Sequence, residues 1–420
     1  ILHTHAGHKP PLPWVNVISN DQHGVIISES GACYSWSANS RENRLTPWSN
    51  DPVSDPFGEA FYLKDRNNGH LFSPLPGLST TNAAFRVEHG FGYSTFSSVQ
   101  HEIAQDVTIF VPKSDPLKIA QICLQNHSKK VKSLAFYAYH ELVMGPYRHK
   151  TVPHIRTGGS ENGGLWAENP ENAEFSERRT FLHLAGAKSA SVTTDRTAFL
   201  GRYGTMDVPL GLCAASLGNQ IEQREETDPC LALETHIELQ PGEEITFYVL
   251  FGQGENIQHA HQLMTHYALS MNCKRSLDEV RAFWEVLTAK IQIKTPDPAL
   301  NLMGNGWLIY QNLSCRIMGR SAFYQSGGAF GYRDQLQDTG GMFYHTPERT
   351  RTQILLHAAH QFEEGDVLHW WHPPLSKGIR TRFSDDLLWL PYLTAFYVNS
   401  SGDWGLLDEV VGFKTAPHLK

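Results

Sequence analysis

The period of the hydrophobic pattern changes once along this chain, near residue 255, and this change restricts the fold more than any other feature. Between Val15 and Gly252, segments such as AFRVEHG, YSTFSSVQHEI and EITFYVLFG alternate apolar with polar residues and are rich in β-branched and aromatic side chains. Alternation with a period of two is typical of half-buried strands. The first part of the chain is therefore predicted to form a large antiparallel β-sandwich.

Beyond Gln258 the apolar residues recur at helical spacing. The segments IQHAHQLMTHYALSM and SLDEVRAFWEVLTAKI predict two connecting helices, the second with Ser276 as its N-cap and Glu279 completing a capping box. From Asp297 onward, further apolar segments predict longer helices, separated by loops rich in Gly, Pro, His and Trp. The predicted parts are a β-sandwich domain at 1–255, a helical linker at 256–296 and a helical domain at 297–420.

Charge and cysteine content argue against several classes of protein. The formal net charge of −8 comes from 35 basic and 43 acidic residues without long blocks of one sign, so the basic footprint of a nucleic-acid-binding protein is missing. The six cysteines show no metal-site or disulfide spacing, which predicts a reducing, cytoplasmic environment. The apolar stretch LLWLPYLTAFYV contains Pro391 and is shorter than the roughly 20 residues that span a bilayer.

The segment SGGAFGYRDQLQD places two carboxylates, Asp334 and Asp338, four residues apart after a glycine-rich run. Paired carboxylates are the usual catalytic groups of enzymes that cleave glycosidic bonds, and residues four apart on a helix have Cβ atoms about 5–6 Å apart. The residues alone leave another interpretation open, in which Asp334 caps the helix that follows Tyr332 and Asp338 pairs with a neighbouring arginine.

Four sequence blocks resemble one known family. They are NSRENRLTPWSNDPVSDP (39–56), SGGAFGYRDQLQD (326–338), HQFEEGDVLHWWHPP (360–374) and KGIRTRFSDDLLWLP (377–391). In these blocks the chain is similar to glycoside hydrolase family 94, and most closely to the C-terminal phosphorylase-like domain of cyclic β-1,2-glucan synthases. The resemblance covers essentially the whole chain and implies an N-terminal antiparallel β-sandwich, a helical linker and an (α/α)6 barrel.

The implied barrel is longer than the helical part of this chain. Twelve helices of about 11–12 residues with loops of about 2–8 residues need at least about 160 residues. Residues 297–420 number 124. The expectation is therefore an incomplete (α/α)6 barrel, the N-terminal part of a truncated catalytic domain.

The resemblance implies an inverting phosphorylase that uses inorganic phosphate as co-substrate and no cofactor or metal. In that family phosphate attacks the anomeric carbon of a β-glucoside directly, giving α-glucose 1-phosphate, so one carboxylic acid suffices. The implied partner is a β-glucan, most closely one with β-1,2 linkages. A homodimer is left open, as is attachment to an inner-membrane synthase through segments outside this chain. Two alternatives also stay open: an inverting hydrolase and a non-catalytic glucan-binding module.

The general acid of the family lies in a Trp-Asn-Asp motif, which this sequence lacks. The nearest segment, GDWGLLDE, contains Asp403 but no Asn-Asp pair, and Asp403 is predicted to have no catalytic role. The acid is therefore expected beyond Lys420, and the isolated chain is predicted to be inactive.

The resemblance assigns Asp334, with Arg333 beside it, to hold sugar hydroxyls, and Asp338 to orient the loop. Arg320 lies near the place of a phosphate-binding arginine, with Arg316 as the alternative; a guanidinium suits phosphate because it donates two parallel hydrogen bonds. The polar loop 39–56 is expected to help form an acceptor subsite, or else to be held by its own salt bridges and caps. The predicted substrate-binding residues are Arg41, Arg44, Trp48, Arg333, Asp334, Gln337, Asp338, Trp371, His372, Arg380 and Arg382, and the predicted phosphate-binding residue is Arg320.

The block HWWHPP contains two adjacent tryptophans, whose flat indoles suit the C–H face of a pyranose ring. Side chains of neighbouring residues in an extended segment point to opposite faces, so at least one of Trp370 and Trp371 is expected in the core. His369 and His372 lack a partner set with metal-ligand spacing, so a hydrogen-bonding role is expected for them.

Arg380 and Arg382 alternate in the segment GIRTRFSDD. In an extended loop they would point to the same side. Two roles are open for them: holding phosphate or sugar oxygens, or pairing with Asp385 and Asp386.

Overall fold

A computed structural model describes residues 1–4, 9–79, 81–160, 163–219, 221, 228–375 and 377–417. The chain packs into two compact units, residues 1–281 with 322–326, and residues 282–321 with 327–420. Each unit is described by itself below. The boundaries predicted for the β-sandwich domain, the helical linker and the helical domain stay a prediction, because a division into compact units does not test where such domains begin and end.

The first unit is built from antiparallel sheets, as the alternating pattern predicts. Its strands are β1 Leu2–Thr4, β2 Val15–Ser19, β3 His23–Ser28, β4 Cys33–Ser37, β5 Glu59–Asp65, β6 Leu71–Phe72, β7 Phe85–Gly90, β8 Tyr93–Gln100, β9 Ile103–Phe110, β10 Leu117–Asn126, β11 Lys132–Glu141, β12 Arg156–Gly159, β13 Leu165–Glu168, β14 Arg179–Ala185, β15 Ser191–Asp195, β16 Pro229–Leu239 and β17 Glu244–Gly254. One sheet has the order β1-β7-β8-β9-β10-β17-β14-β13-β12, a second β15-β16-β11-β5-β6 and a third β2-β3-β4.

The two larger sheets share one apolar core. Phe96, Ile122 and Phe247 from the first sheet and Phe136 and Leu233 from the second belong to the same buried cluster. The rings of Phe136 and Phe247 meet edge to face with 5.0 Å between centroids. Because each such side chain contributes about 1.5–3 kcal/mol when fully buried, this core is the main source of stability of the first unit.

Short helices and one longer helix accompany the sheets. The bounds are α1 Arg148–Thr151, α2 Arg196–Leu200, α3 Leu210–Cys213 and α4 Ile257–Tyr267. Helix α4 packs against β17. It begins where the side chain of Asn256 accepts a hydrogen bond from the backbone N–H of His259 at 2.9 Å, a typical N-cap.

The next helix, α5, runs over Ser270–Ala289, so the predicted N-cap at Ser276 is wrong. Ser276 lies within the helix and is buried. The segment 270–275 contains neither glycine nor proline, and Cys273 within it is fully buried. Burial of this turn therefore extends the helix past the local capping signal.

The second unit is mainly helical, and the helices predicted after Asp297 are confirmed. They are α6 Pro298–Leu302 with α7 Leu308–Gln311, α9 Pro347–Ala358 and α10 Asp386–Ser401. A further helix, α8 Tyr332–Met342, lies outside those apolar segments and carries Asp334 and Asp338. Wider π-helical turns at Met303–Trp307 and Asn312–Gly319 flank α7, so 298–319 forms one long helical segment. Short strands complete the chain: β18 Ser321–Ala322, β19 Gln325–Ser326, β20 Phe330–Gly331, β21 Leu368–His372 and β22 Lys377–Arg380.

Strands β20, β21 and β22 form a small antiparallel sheet in that order. Its Phe330 and Trp371 belong to a buried cluster with Leu336 of α8, Ile354 of α9 and Tyr397 of α10. The three helices and the sheet therefore share one core. Among the described residues, no helix is both long and apolar enough to cross a membrane.

A polar cluster lies inside the sandwich. Lys118 and Glu59 form an ion pair and are almost completely buried. The Glu59 carboxylate also accepts hydrogen bonds from the hydroxyls of Ser35 and Thr46, each at 2.7 Å, and lies 3.6 Å from Nε2 of His140. These hydroxyls lessen the large penalty of burying a charged pair.

His23 is a second buried polar group of this sandwich. It is fully buried, and neither ring nitrogen has a hydrogen-bond partner among the residues that the structure describes. Burial, assisted by the charge of Lys118, lowers the pKa of His23 to about 3. The ring is therefore neutral in the folded protein at any pH near neutrality.

Acid is expected to destabilise the first unit through His23. In the unfolded chain the pKa is about 6.5, so the unfolded state binds a proton that the folded state does not. The stabilising effect is complete above pH 6.5 and is lost as the pH falls toward 3, by at most about 1.4 kcal/mol per pH unit. Urea unfolding at pH 7.5, 6.5 and 5.5 measures this dependence.

A His23→Leu variant is expected to show a smaller loss of unfolding free energy between pH 7.5 and 5.5 than the unchanged chain. The matched control is His127→Leu, since His127 is exposed. Equal pH dependence in His23→Leu and the unchanged chain would contradict the prediction.

Candidate active site

The predicted sugar-holding carboxylate lies in the first turn of α8. Gly331 is the N-cap of this helix, and its backbone N–H donates to Oε1 of Gln335 at 2.6 Å. A Cβ atom at position 331 would collide with Oδ2 of Asp334. Glycine at 331 therefore lets the Asp334 carboxylate fold back over the start of the helix, where the helix dipole favours a negative charge.

Arg316 joins the two carboxylates of the motif. Its Nε donates to Oδ2 of Asp338 at 2.8 Å, and its Nη2 lies 3.6 Å from Oδ1 of Asp334. The Asp334 side chain is 63% exposed, whereas that of Asp338 is 23% exposed. Burial raises the pKa of Asp338, while Arg316 acts in the opposite direction. Asp338 thus has the arginine partner that the sequence left open, and Asp334 is the carboxylate directed to solvent.

Arg333 points along a different face of α8. It pairs with Oδ2 of Asp385 at 2.9 Å and donates to Oε1 of Gln337 at 3.4 Å. Its guanidinium also lies over the ring of Trp389, 5.5 Å from the centroid. The predicted residues Arg333 and Gln337 are therefore in contact with each other, and Asp385 and Trp389 join them.

Arg320 is engaged by the chain itself. It has a left-handed backbone (φ 46°) at the end of the helical segment, and its guanidinium donates to the carbonyl oxygens of Ile317, Met318 and Gly328 at 3.0–3.1 Å. It also lies 4.5 Å from the ring centroid of Phe330. Arg320 therefore links the end of the helical segment 298–319 to the glycine-rich segment around Gly328. Its predicted contact with phosphate stays a prediction.

The two tryptophans of the HWWHPP block have different surroundings. Trp371 is 1% exposed, stacks on His360 with 3.9 Å between centroids and contacts Phe330 and Tyr332. The expectation that at least one tryptophan lies in the core is confirmed. The substrate-binding role predicted for Trp371 does not fit its burial, because an enclosed indole presents no face to a sugar ring; Trp370 is the more accessible of the two.

The histidines of this block are held by the protein. Nδ1 of His369 forms a hydrogen bond with Oδ2 of the buried Asp386 at 2.8 Å. His372 is buried beside the ring of Trp370, so its predicted substrate contact would need a rearrangement. In the described parts of the chain, no group of three His, Cys, Asp or Glu side chains is arranged to hold a metal ion.

Arg380 has different partners from those predicted. It binds Asp366 at 2.5 Å and Glu364 at 2.9 Å, not Asp385 or Asp386, and lies over Phe362. The ion pairs hold β22 against the loop 363–367, so Arg380 has a structural role here. Arg382, two residues later, is exposed.

In the first unit, the polar loop 39–56 holds the segment 322–326. Arg44 donates to Oγ of Ser326 at 3.1 Å and lies over Trp48, whose indole N–H donates to the carbonyl of Phe323 at 3.1 Å. Arg41 stays partly exposed and lies 3.5 Å from Glu42. The loop therefore uses Arg44 and Trp48 to hold the segment 322–326, a contact that neither of its two open interpretations expected, and leaves Arg41 partly exposed.

Comparison with known proteins identifies the family. The family model "Glycosyl hydrolase 94, supersandwich domain" matches residues 1–269, and "Glycosyl hydrolase 94 superfamily, catalytic domain" matches residues 283–418. The chain belongs to glycoside hydrolase family 94. The resemblance found in the four sequence blocks is confirmed.

Similar proteins in family 94 include a synthase and phosphorylases. The chain is 39% identical to cyclic beta-(1,2)-glucan synthase NdvB of Rhizobium meliloti over 420 residues, covering 99% of this chain and 15% of the synthase. It is 27% identical to N,N'-diacetylchitobiose phosphorylase of Vibrio proteolyticus, covering 96% of this chain and 54% of that enzyme. The chain thus spans about half of that phosphorylase and a smaller part of the synthase.

Solved structures support the predicted fold class. A bacterial glucoamylase complexed with acarbose matches 97% of this chain and 60% of its own with a TM-score of 0.55 at 10% identity. An antiparallel sandwich followed by helices of the (α/α)6 type is therefore confirmed for this family 94 chain.

Sequence reasoning missed some members of the candidate site. Trp389, beneath Arg333, and the pair of His369 with the buried Asp386 were not predicted as neighbours of the motif. Asp385 and Trp389 are four residues apart, the spacing that places two side chains on one helical face, so this signal was present in the sequence.

Proposed function

We propose that this chain is part of a phosphorylase that cleaves β-1,2-linked glucan with inversion and releases α-glucose 1-phosphate. The observation that carries the proposal is the exposed carboxylate of Asp334 at the start of α8, beside Arg316, in a chain of family 94. The β-1,2 linkage is supported by the identity to the glucan synthase, and phosphorolysis by the similarity to phosphorylases.

In the proposed reaction, Asp334 accepts hydrogen bonds from sugar hydroxyls in the donor subsite. Arg316 holds Asp334 in place, and Asp338 binds Arg316 in turn. Phosphate attacks the anomeric carbon from the face opposite to the leaving oxygen, which takes a proton from a single acid. The general acid is proposed to lie outside residues 1–420, because the sequence contains no Trp-Asn-Asp.

Two arginines are candidates for the phosphate contact, and both have partners within the protein. Arg320 donates to three backbone carbonyls, and Arg316 pairs with two carboxylates. We propose Arg320 as the phosphate contact because of the family resemblance. This role requires its guanidinium to leave at least one of these carbonyls when phosphate binds.

A cytoplasmic location is also proposed, supported by six free cysteines.

The experiment incubates two polypeptides, each with β-1,2-glucan and phosphate, and compares their products. The natural protein that contains this chain is expected to form α-glucose 1-phosphate in proportion to phosphate, whereas the 420-residue chain alone is expected to form none. Coupled assay of glucose 1-phosphate measures both, and reducing-sugar release without phosphate tests the hydrolase alternative.

Two results would contradict the proposal. Glucose 1-phosphate formation by the 420-residue chain would place the acid inside it. Glucan binding without any turnover by the natural protein would favour the non-catalytic module instead.

A further inference from the structure

We propose that the first unit contains a separate site for a single pyranose unit, in a cavity of about 180 Å³. The cavity lies among β1, the turn after β3, the short 3-10 helix Pro76–Leu78 and the segment that leads into β7. Its lining belongs to the first unit, and none of the lining residues is part of the candidate active site.

Thr4 provides the first observation that points to a ligand. It is 7% exposed and lines the cavity, and its Oγ1 has no hydrogen-bond partner among the residues that the structure describes. A buried hydroxyl without a partner costs about 1–3 kcal/mol. A ligand hydroxyl in the cavity would supply the missing hydrogen bond.

A second group of polar side chains lines the same cavity. The hydroxyls of Ser79 and Thr81 both donate to Oε1 of Gln100, at 3.0 and 2.6 Å. Gln100 is fixed by donating its own Nε2 to the carbonyl of Ser73 at 2.7 Å. The protons of both hydroxyls are committed to Gln100, and their oxygens also accept long hydrogen bonds from the backbone N–H groups of Thr81 and Ala83, at 3.4 and 3.3 Å. Each oxygen keeps a second lone pair that can accept a hydrogen bond from a ligand.

Two groups of opposite charge and several apolar surfaces also line the cavity. Glu29 is 9% exposed, one of its oxygens accepts the backbone N–H of Trp14 at 2.6 Å, and burial raises its pKa. Lys9 brings an ammonium group, and Phe85, Pro10 and Pro76 provide apolar surface. The cavity therefore combines hydroxyl acceptors, one carboxylate, one ammonium group and apolar patches.

This chemistry fits a neutral polyhydroxylated ring. The Glu29 carboxylate and the Lys9 ammonium group carry opposite charges, so the lining selects for neither anions nor cations. The carboxylate can accept hydrogen bonds from sugar hydroxyls, and the apolar patches can cover the C–H face of a pyranose. A cavity of about 150 Å³ is large enough to enclose benzene in another protein, so 180 Å³ is suited to one six-membered ring and not to a disaccharide.

The cavity is connected to the polar loop 39–56. Ser30 lines the cavity, and its Oγ donates to Oδ2 of Asp55 at 2.6 Å. Asp55 belongs to that loop and has a left-handed backbone, φ 40°. A sugar in the cavity would therefore contact the residue that anchors this loop, which suits either a free monosaccharide or the end unit of a glucan chain.

The test is equilibrium binding of D-glucose, and of a short β-1,2-linked gluco-oligosaccharide, to the 420-residue chain, measured by calorimetry without phosphate. Binding of glucose indicates a site for the free sugar, and binding of the oligosaccharide alone indicates a site for a chain end; both support the proposal. Absence of binding for both ligands overturns it.

Two variants place the binding in the cavity. Thr4→Val removes the hydroxyl without a partner and is expected to weaken binding roughly three- to tenfold, while the melting temperature stays the same or rises. Ala83→Leu fills the cavity and is expected to abolish binding. The matched control is Thr95→Val on β8, whose hydroxyl contacts Thr108. Unchanged affinity in both cavity variants would overturn the proposal, even if the chain binds sugar elsewhere.

Discussion

Replacing Asp334 by asparagine is expected to lower kcat/KM for the proposed phosphorolysis of β-1,2-glucan about 100-fold in the natural protein that contains this chain. A hydrogen bond to a charged group contributes about 1.5–3 kcal/mol, and the proposed carboxylate accepts such bonds from sugar hydroxyls as the ring approaches the transition state. An amide keeps the shape of the side chain and loses the charge. Initial rates at varied glucan concentration measure the change and separate kcat from KM.

If Asp334 had only a structural role, the Asp334→Asn variant would lose stability and not activity specifically. The ion pair of Asp334 with Arg316 is 3.6 Å long and exposed, so its loss, with the loss of a charge in the first helical turn, costs less than about 2 kcal/mol of stability. Asp334→Asn should therefore melt close to the unchanged protein. Glu363→Gln, an exposed carboxylate of the same unit, is the matched control. A loss of activity no larger than that of Glu363→Gln would contradict the sugar-holding role.

The backbone elements were predictable where local pattern and packing agree. The strands of the sandwich alternate, and the apolar residues Ala260, Leu263, Met264 and Tyr267 of α4 recur at helical spacing and are buried, so burial selects the same structure as the local preference. The sequence drew attention to the block around Asp334 through its paired carboxylates and its resemblance to family 94; the room that Gly331 leaves for the Asp334 carboxylate is visible only in the structure.

Side-chain direction and pairing were less predictable. Either Trp370 or Trp371 satisfies the alternation of an extended segment; the stacking partner His360 comes from outside the strand and decides the outcome. Arg380 likewise finds Glu364 and Asp366 through the turn that brings β22 to this loop. Such pairings depend on tertiary contacts, which sequence spacing does not encode.

Strand β10 shows how alternation can place a charge inside the core. Residues 118, 120, 122 and 124 share one face of the strand, and Ala120, Ile122 and Leu124 belong to the apolar core. Lys118 therefore points inward although lysine is almost never fully buried without a partner. The sequence identifies the inward direction, but only the structure shows that Glu59 of β5 is the partner.

Replacing Lys118 by methionine is expected to lower the free energy of unfolding by about 3–5 kcal/mol, because it leaves the Glu59 carboxylate buried without its counter-ion. The hydroxyls of Ser35 and Thr46 would still donate to that carboxylate, yet they do not neutralise its charge. Chemical denaturation at pH 7.5, followed by circular dichroism, measures the loss. Lys132→Met is the matched control. Its ion pairs are longer, at 3.7 and 4.0 Å, and Lys132 is more exposed than Lys118, so a smaller loss is expected.

The double variant Lys118→Met with Glu59→Gln separates the charge from the packing. If the penalty of Lys118→Met comes from the uncompensated carboxylate, neutralising Glu59 should restore most of the lost stability, since a buried ion pair replaced by neutral groups of similar volume is often neutral or stabilising. If the penalty came from lost packing of the lysine stem, which lies near the ring of Phe251, the double variant would be no more stable than the single one. Recovery in the double variant would mean that the pair is not required for stability, and that each charge is tolerated in the sandwich only because the other is present.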